Sequence, residues 1–141
     1  MYGNNFIYKT TGIALPSSAV SNNTLNYTNS ISANPSSGVI YANLSDGTLF
    51  SGTEGSTFNQ LFDFNIHNLY NVLYYKNDEF LALKNNTIVR VKISPTYQIL
   101  SVYENSPIFS IYVLSTNGAD TWVYGYDNEF SDYRLVKINL N

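Results

Sequence analysis

An apolar–tyrosine step recurs four times along the chain and constrains the fold more than any other feature. Successive steps are 33, 33 and 38 residues apart, at Ile7-Tyr8, Ile40-Tyr41, Leu73-Tyr74 and Ile111-Tyr112. Each step leads through a short polar segment into a second apolar segment. Two of the polar segments contain Asp-Gly or Asn-Gly, which supply the positive φ angles of hairpin turns. Each unit therefore predicts a strand, a tight turn and a second strand.

A third strand is expected to close each unit. The clearest examples are residues 87–93 and 133–140, where apolar and polar residues alternate as on a half-buried strand. In the second unit the equivalent strand is residues 58–64. In the first unit it is residues 24–29, which are poorer in apolar side chains. Residues 97–103 predict a fourth, connecting strand. No stretch has a convincing helical period, and the fold class is predicted to be all-β.

This succession of strands resembles the blade repeat of β-propellers, most strongly in residues 69–141 and least in the first unit. The resemblance is one of pattern, because the sequence has neither a WD dipeptide nor a kelch glycine pair. It implies repeated antiparallel hairpin or meander units packed as propeller-like blades. A blade usually takes about 40–50 residues, so these periods are short, and a β-sandwich or jelly roll is the alternative. Four blades could close as a small propeller, two chains could form a larger ring, or the C-terminal strand could pair with a partner.

A chain of 141 residues predicts a single domain, residues 1–141. Residues 1–37 contain Pro16, Pro35 and a stretch rich in Ser, Asn and Thr. This segment predicts either a loop-rich arm that reaches a neighbour or a poorly formed first repeat unit. The first six residues lack the basic stretch and apolar core of a secretory signal. Either the protein is not exported by that route, or its signal has been removed.

The composition excludes several function classes. Charged residues make up only 12% of the chain, about half the usual share, while Asn, Ser and Thr number 20, 16 and 11. Aromatic residues make up 16%, which argues against disorder. Without cysteine there is no disulfide, thiolate metal site or cysteine nucleophile. Seven Lys and Arg argue against a nucleic-acid partner, and no apolar run approaches the ~20 residues of a membrane helix.

The composition is similar to that of secreted and virion proteins of thermoacidophilic archaea and their viruses. Carboxylates lose their charge near their pKa of about 4, so a surface hydrated by amides and hydroxyls stays soluble in acid. The resemblance implies an extracellular or virion-surface location. Four Asn-x-Ser/Thr sequons add candidate glycosylation sites at Asn22, Asn26, Asn43 and Asn85.

No catalytic constellation is present in the sequence, and we expect neither an enzyme nor a cofactor. His67 is the one histidine and has no partner pattern around it. The best polar cluster contains Asp127, Glu129 and Asp132. Oxygen ligands at alternate positions are what Ca²⁺ takes, but the glycine and later Glu of a helix-loop-helix calcium loop are absent. A solvated turn is therefore the simpler interpretation, and the cluster is a weak metal candidate.

Trp122, Tyr124 and Tyr126 alternate, so a strand would carry all three on one face, with Asp120 and Asn128 as a polar rim. Such a face is typical of sugar binding by ring stacking and hydrogen bonds, and equally of protein interfaces. The same residues would also suit the core of the last unit. Since thirteen Tyr are more than a small core buries comfortably, some are expected at a binding surface.

The sequence thus predicts a non-enzymatic structural or assembly protein of a virion or cell surface. Its partner would be a second copy or another surface protein, bound through β-edges and Tyr-rich faces. The alternative is a carbohydrate-binding, lectin-like recognition module. Neither nucleic-acid binding nor membrane insertion is expected.

Overall fold

The computed structural model describes residues 6–11, 14–21 and 27–140, with side chains from residue 27 onward. Its thirteen strands form four antiparallel sheets. The N-terminal hairpin consists of β1 (Phe6–Thr11) and β2 (Ala14–Ser21). The first blade consists of β3 (Thr28–Ala33), β4 (Ile40–Leu44), β5 (Thr48–Gly52) and β6 (Asn59–Asp63). The second consists of β7 (Tyr70–Lys76), β8 (Glu79–Lys84), β9 (Thr87–Lys92) and β10 (Gln98–Tyr103). The third consists of β11 (Phe109–Thr116), β12 (Thr121–Asp127) and β13 (Asp132–Ile138).

The predicted all-β class and its repeated antiparallel units are confirmed. Across the described ranges the one helical segment is a 3-10 turn at Asn65–His67. The strands predicted at residues 58–64, 87–93 and 133–140 are β6, β9 and β13, and the predicted fourth strand at 97–103 is β10, the outer strand of the second blade. Each blade is a meander in which consecutive strands pair, so the hairpin pattern of the sequence carries directly into the sheets.

The predicted boundary between the first and second units was wrong by one strand, whereas the predicted first strands of the third and fourth units were right. Ile40-Tyr41 lies on β4, the second strand of its blade, whereas Leu73-Tyr74 and Ile111-Tyr112 lie on first strands. Residues 28–33, assigned in part to the first unit, form β3 and pair with β4. The first strands of the three blades begin at residues 28, 70 and 109, which are 42 and 39 residues apart. The true period is therefore close to the length of a propeller blade.

The blades stack side by side, with their first strands β3, β7 and β11 adjacent. The second blade lies between the other two and buries both faces. One face packs on the first blade through Val72, Phe80 and Val91, and the opposite face packs on the third blade through Leu81 and Leu83. Burial on both sides explains why β8 reads as an unbroken apolar run, Phe80 to Leu83, instead of alternating.

Stacked rings join the first and second blades. Tyr41 and Tyr74 lie parallel with their ring centroids 5.4 Å apart, and Phe80 meets the Tyr41 ring edge-on at 5.1 Å. Burial, assisted by the nearby Asp78 and Tyr74, raises the pKa of Tyr41, so its phenol stays neutral. Near the outer strands, His67 stacks on Tyr97 with centroids 3.7 Å apart. The single histidine is thus part of the packing between the two blades.

Polar side chains also join the first and second blades. Side chains of the first blade form hydrogen bonds with backbone groups on the edge of β7 that no strand of its own sheet covers. The Val72 N–H donates to Asn43 Oδ1 at 3.1 Å, and the Val72 carbonyl accepts from Ser30 Oγ at 3.0 Å. Ser32 Oγ accepts the Tyr74 N–H at 2.7 Å. Buried backbone groups need such partners, and these three side chains replace a neighbouring strand.

A second amide performs the same task at the next junction. Asn86, in the β8–β9 turn, accepts the Ile111 N–H at 2.9 Å and donates to the Phe109 carbonyl at 2.6 Å. Asn105 donates to that carbonyl as well, at 2.5 Å. Each blade therefore holds the first strand of the next through amide side chains.

Asn43 is fully buried, so its loss leaves the Val72 N–H without its acceptor. We expect Asn43→Ala to lower the free energy of unfolding by about 1–3 kcal/mol, the usual cost of an unsatisfied buried donor. The control is Asn59→Ala, since exposed Asn59 makes only a local contact to Thr57, and should change stability by less than about 0.5 kcal/mol. Urea denaturation measures both. Equal effects of the two substitutions would contradict this role of Asn43.

Candidate functional site

The exposed face of the third blade is the main candidate site. On β12, buried and exposed residues alternate, so Trp122, Tyr124 and Tyr126 share the outer face as predicted, while Val123 packs into the core. Trp122 and Tyr124 are 38% and 40% exposed. The interpretation of these residues as core of the last unit is therefore wrong.

The neighbouring strands add further apolar side chains to this face. Antiparallel pairing sets Tyr133 opposite Tyr126 and Leu135 opposite Tyr124, and paired residues project on the same side. On β11, Tyr112 is exposed in alternation with buried Ile111, and a bulge between Ile111 and Val113 brings Val113 to the same surface. We call this surface the aromatic face; its residues are Tyr112, Val113, Trp122, Tyr124, Tyr126, Tyr133 and Leu135.

The tyrosines of the aromatic face pack against one another around Tyr133. Its ring stacks on Tyr124 with centroids 5.8 Å apart and an interplanar angle of 12°. Tyr126 meets it edge-on at 5.1 Å, and Tyr112 lies at 6.1 Å. Because these rings contact their neighbours, the face is a connected apolar surface with phenol hydroxyls.

Gly125 explains how β11 lies so close to β12 beneath this face. A Cβ atom at Gly125 would overlap the Ser110 carbonyl oxygen and approach the Phe109 ring to 2.7 Å. Between Tyr124 and Tyr126 the chain therefore requires a residue without a side chain.

The predicted polar rim is present only in part. Asp120 forms an ion pair with Lys137, whose ammonium group also lies 5.9 Å from the centre of the Trp122 ring. Asn128 lies in the β12–β13 turn, where its side-chain amide donates to the Ile108 carbonyl at 2.9 Å. The Asn128 amide is thus used in holding the turn, so that Asp120 alone of the two lies beside the aromatic face.

The carboxylates proposed as a weak metal site form the turn after β12. Asp127 Oδ1 accepts the Glu129 N–H at 3.0 Å, and Asp127 Oδ2 pairs with Arg134 at 3.4 Å. Asp132 Oδ1 accepts the Tyr133 N–H at 2.7 Å. Asp127 and Asp132 thus serve as hydrogen-bond acceptors within the turn, and Asp127 is buried. In the ranges that the structure describes, no three His, Cys, Asp or Glu side chains gather closely enough to hold a metal ion.

Two of the four sequons can be compared with the structure. Asn85 lies exposed in the β8–β9 turn with φ of 53°, whereas Asn43 is fully buried between two blades. The interpretation of Asn43 as a glycan acceptor is therefore wrong, because its amide binds Val72 and has no access to solvent. Asn22 and Asn26 lie outside the described residues.

A cavity of about 900 Å³ lies between the first strands of the three blades and was not predicted from the sequence. Ser32, Tyr74, Lys76 and Thr116 are among the residues that line it. Among the described lining residues Lys76 alone is charged. The cavity results from the side-by-side packing of β3, β7 and β11. No local sequence motif predicts this packing.

Comparisons with known proteins give little further information. No protein-family model matches the chain, and no curated protein matches it. Among solved structures, the chain is similar to a hemopexin-fold protein, CP4 from cow pea, with a TM-score of 0.47 and 11% sequence identity. The alignment covers 81% of this chain and 68% of that one. In the described part of the chain, no helix is both long enough and apolar enough to cross a membrane.

The sequons allow a test of whether exposure in the fold, and not the motif alone, decides which asparagine carries a glycan. In a host that glycosylates secreted proteins, we expect folded protein to carry a glycan on Asn85 and none on Asn43. Glycopeptide mass spectrometry would show this, and Asn85→Gln would remove the glycan from the tryptic peptide that contains it. Glycan on Asn43 in folded protein would contradict the buried position of that amide.

Proposed function

We propose that this protein is a non-enzymatic structural or assembly protein of an outer surface, either a virion or a cell envelope. The aromatic face is the contact surface. The observation that supports this proposal best is the connected cluster of exposed tyrosines on the third blade, with Tyr112 52% exposed and Tyr133 54% exposed. Large exposed apolar patches on proteins commonly mark interaction sites, and Tyr is enriched at protein interfaces.

The outer-surface location is supported by composition and by the kind of contact that joins the blades. A third of the chain is Asn, Ser or Thr. The contacts of Ser30, Ser32, Asn43 and Asn86 use hydroxyl and amide groups, which do not titrate between pH 3 and 7. The fold and the aromatic face therefore rely little on charges that acid would remove.

Assembly through this face has more support than carbohydrate binding. Stacking on a sugar needs a free ring face, and the stack between Tyr124 and Tyr133 already occupies one face of each ring. The polar rim is also engaged, Asp120 by Lys137 and Asn128 by the Ile108 carbonyl. Trp122 is the residue best placed for a glycan, although Lys137 lies near its ring.

The first test is the native mass by light scattering over a hundredfold dilution, at pH 7 and at pH 3. We expect a multimer of the 15.9 kDa chain at both pH values, because phenol and aliphatic groups stay uncharged throughout this range. The double variant Tyr112→Ser, Tyr124→Ser should lower that mass. The control, Tyr27→Ser with Ile66→Ser, changes two apolar residues that are more exposed than Tyr112 and Tyr124 but lie outside the aromatic face, and it should leave the mass unchanged.

A monomer at every concentration and both pH values would overturn the assembly proposal. The carbohydrate alternative has its own test, retention on immobilised glycans. If the alternative holds, Trp122→Ala abolishes retention while circular dichroism and the melting temperature stay as in the wild type. If assembly holds instead, neither protein is retained.

A further inference from the structure

The third blade has one strand fewer than the two before it. The first and second blades each contain four strands, whereas the third ends at β13, which pairs with β12 on one side only. Seven residues of β13 therefore present an outer edge with no paired strand in the described ranges. Such an edge is a template for a further strand.

The outer edge of β13 is also more regular than the other two. β6 has five residues, and its pairing with β5 contains a register shift; β10 has six residues and a shift against β9. β13 pairs with β12 over seven residues without any shift. Short strands and bulges protect edges against unwanted pairing, and β13 lacks both protections.

The charges on β13 are directed back toward its own blade. Lys137 pairs with Asp120, and Arg134 pairs with Asp127 while its guanidinium lies 4.1 Å from the centre of the Phe130 ring. A lysine on an edge strand usually deters pairing by carrying an unpaired charge. Here both cations are engaged within the third blade.

One hydrogen bond shows which backbone groups point outward. The Tyr133 N–H donates to Asp132 Oδ1, so it does not join the ladder with Tyr126 on β12. Because antiparallel strands alternate between bonded and non-bonded pairs, the N–H and carbonyl groups of Leu135 and Lys137 point outward too. The open edge thus offers donors and acceptors at every second residue.

We propose that β13 pairs in antiparallel fashion with β13 of a second copy, about a two-fold axis that passes between the two Leu135 residues. This inference rests on the proposed function: it names a second copy as the partner and adds the edge of β13 as a contact beside the aromatic face. The two third blades would join as one six-stranded sheet with both aromatic faces on the same side. Such an interface is self-complementary, as a two-fold dimer requires.

The charges on β13 select this register. With Leu135 opposite Leu135, each Tyr133 lies opposite a Lys137 of the other copy, a favourable cation–ring pair, and each Arg134 lies opposite Val136. Moving the partner so that Tyr133 opposes Leu135 would place Arg134 opposite Arg134. That pair would occupy a non-bonded position, where side chains come closest and like charges repel most.

The test uses the symmetry at Leu135, which is 65% exposed. Leu135→Lys and Leu135→Glu each place two like charges side by side in the dimer, and each should raise its dissociation constant at least tenfold. An equimolar mixture of the two variants should restore the dimer as a mixed species, which native mass spectrometry resolves. Ile99→Lys is the control, since Ile99 is equally apolar, 52% exposed and lies on the outer strand β10.

Because Leu135 also belongs to the aromatic face, the recombination of its two variants is what separates the edge from the face. If both Leu135 variants keep the wild-type mass while the Tyr112→Ser, Tyr124→Ser variant loses it, the edge inference is overturned and the proposed function stands. If only the Leu135 variants lose mass and the mixture regains it, the edge contact stands and association through the aromatic face fails. Two variants that each dissociate but do not recombine would also overturn the pairing at Leu135, since disruption alone would then explain the loss.

Discussion

The hydrogen bonds from amide and hydroxyl side chains to the first strand of the next blade are the interaction on which the rest of the structure depends. A blade is stable only against its neighbours, and its first strand has one backbone edge that no strand of its own sheet covers. Asn43 and Asn86 cover the edges of β7 and β11, and serines of β3 assist at the first junction. The high content of Asn and Ser thus has a structural use within the fold. It is not only a property of the surface.

The sequence was sufficient for the strands but not for the blade boundaries. Hairpin turns and alternation depend on residues close together in the chain, so β8, β9 and β12 follow directly from local pattern. The apolar–tyrosine step misled because Tyr41 and Tyr74 come from different positions of their blades and meet as a stacked pair. Leu73-Tyr74 and Ile111-Tyr112 do lie on equivalent first strands, but between Tyr41 and Tyr74 the repeat marked a contact between neighbouring blades. Such a contact depends on tertiary packing, which spacing along the chain does not encode.

For the candidate site, too, the sequence predicted only what residues close together in the chain determine. Alternation put Trp122, Tyr124 and Tyr126 on one face of β12, since a strand repeats every two residues. Tyr133 could have been added from the hairpin, because closing the turn at Asp127 and Asp132 sets it opposite Tyr126. Val113 could not, because it follows exposed Tyr112 directly and only the register shift in β11 puts it on the same side. The Asn43 sequon shows the same limit, as a three-residue motif contains no information about burial.

The direction of the contacts between blades explains why association belongs at the C-terminal end. The first blade holds the second through Asn43, and the second holds the third through Asn86, so each junction is made by side chains of the earlier blade. The third blade receives such contacts at β11, yet its outer face carries tyrosines, and no strand of the described residues pairs with the outer edge of β13. In the earlier blades the corresponding apolar surface is covered by the next blade. A second copy that supplies a strand and rings at this point would extend the same principle between chains, since an unpaired backbone edge would again be covered by groups from a neighbour.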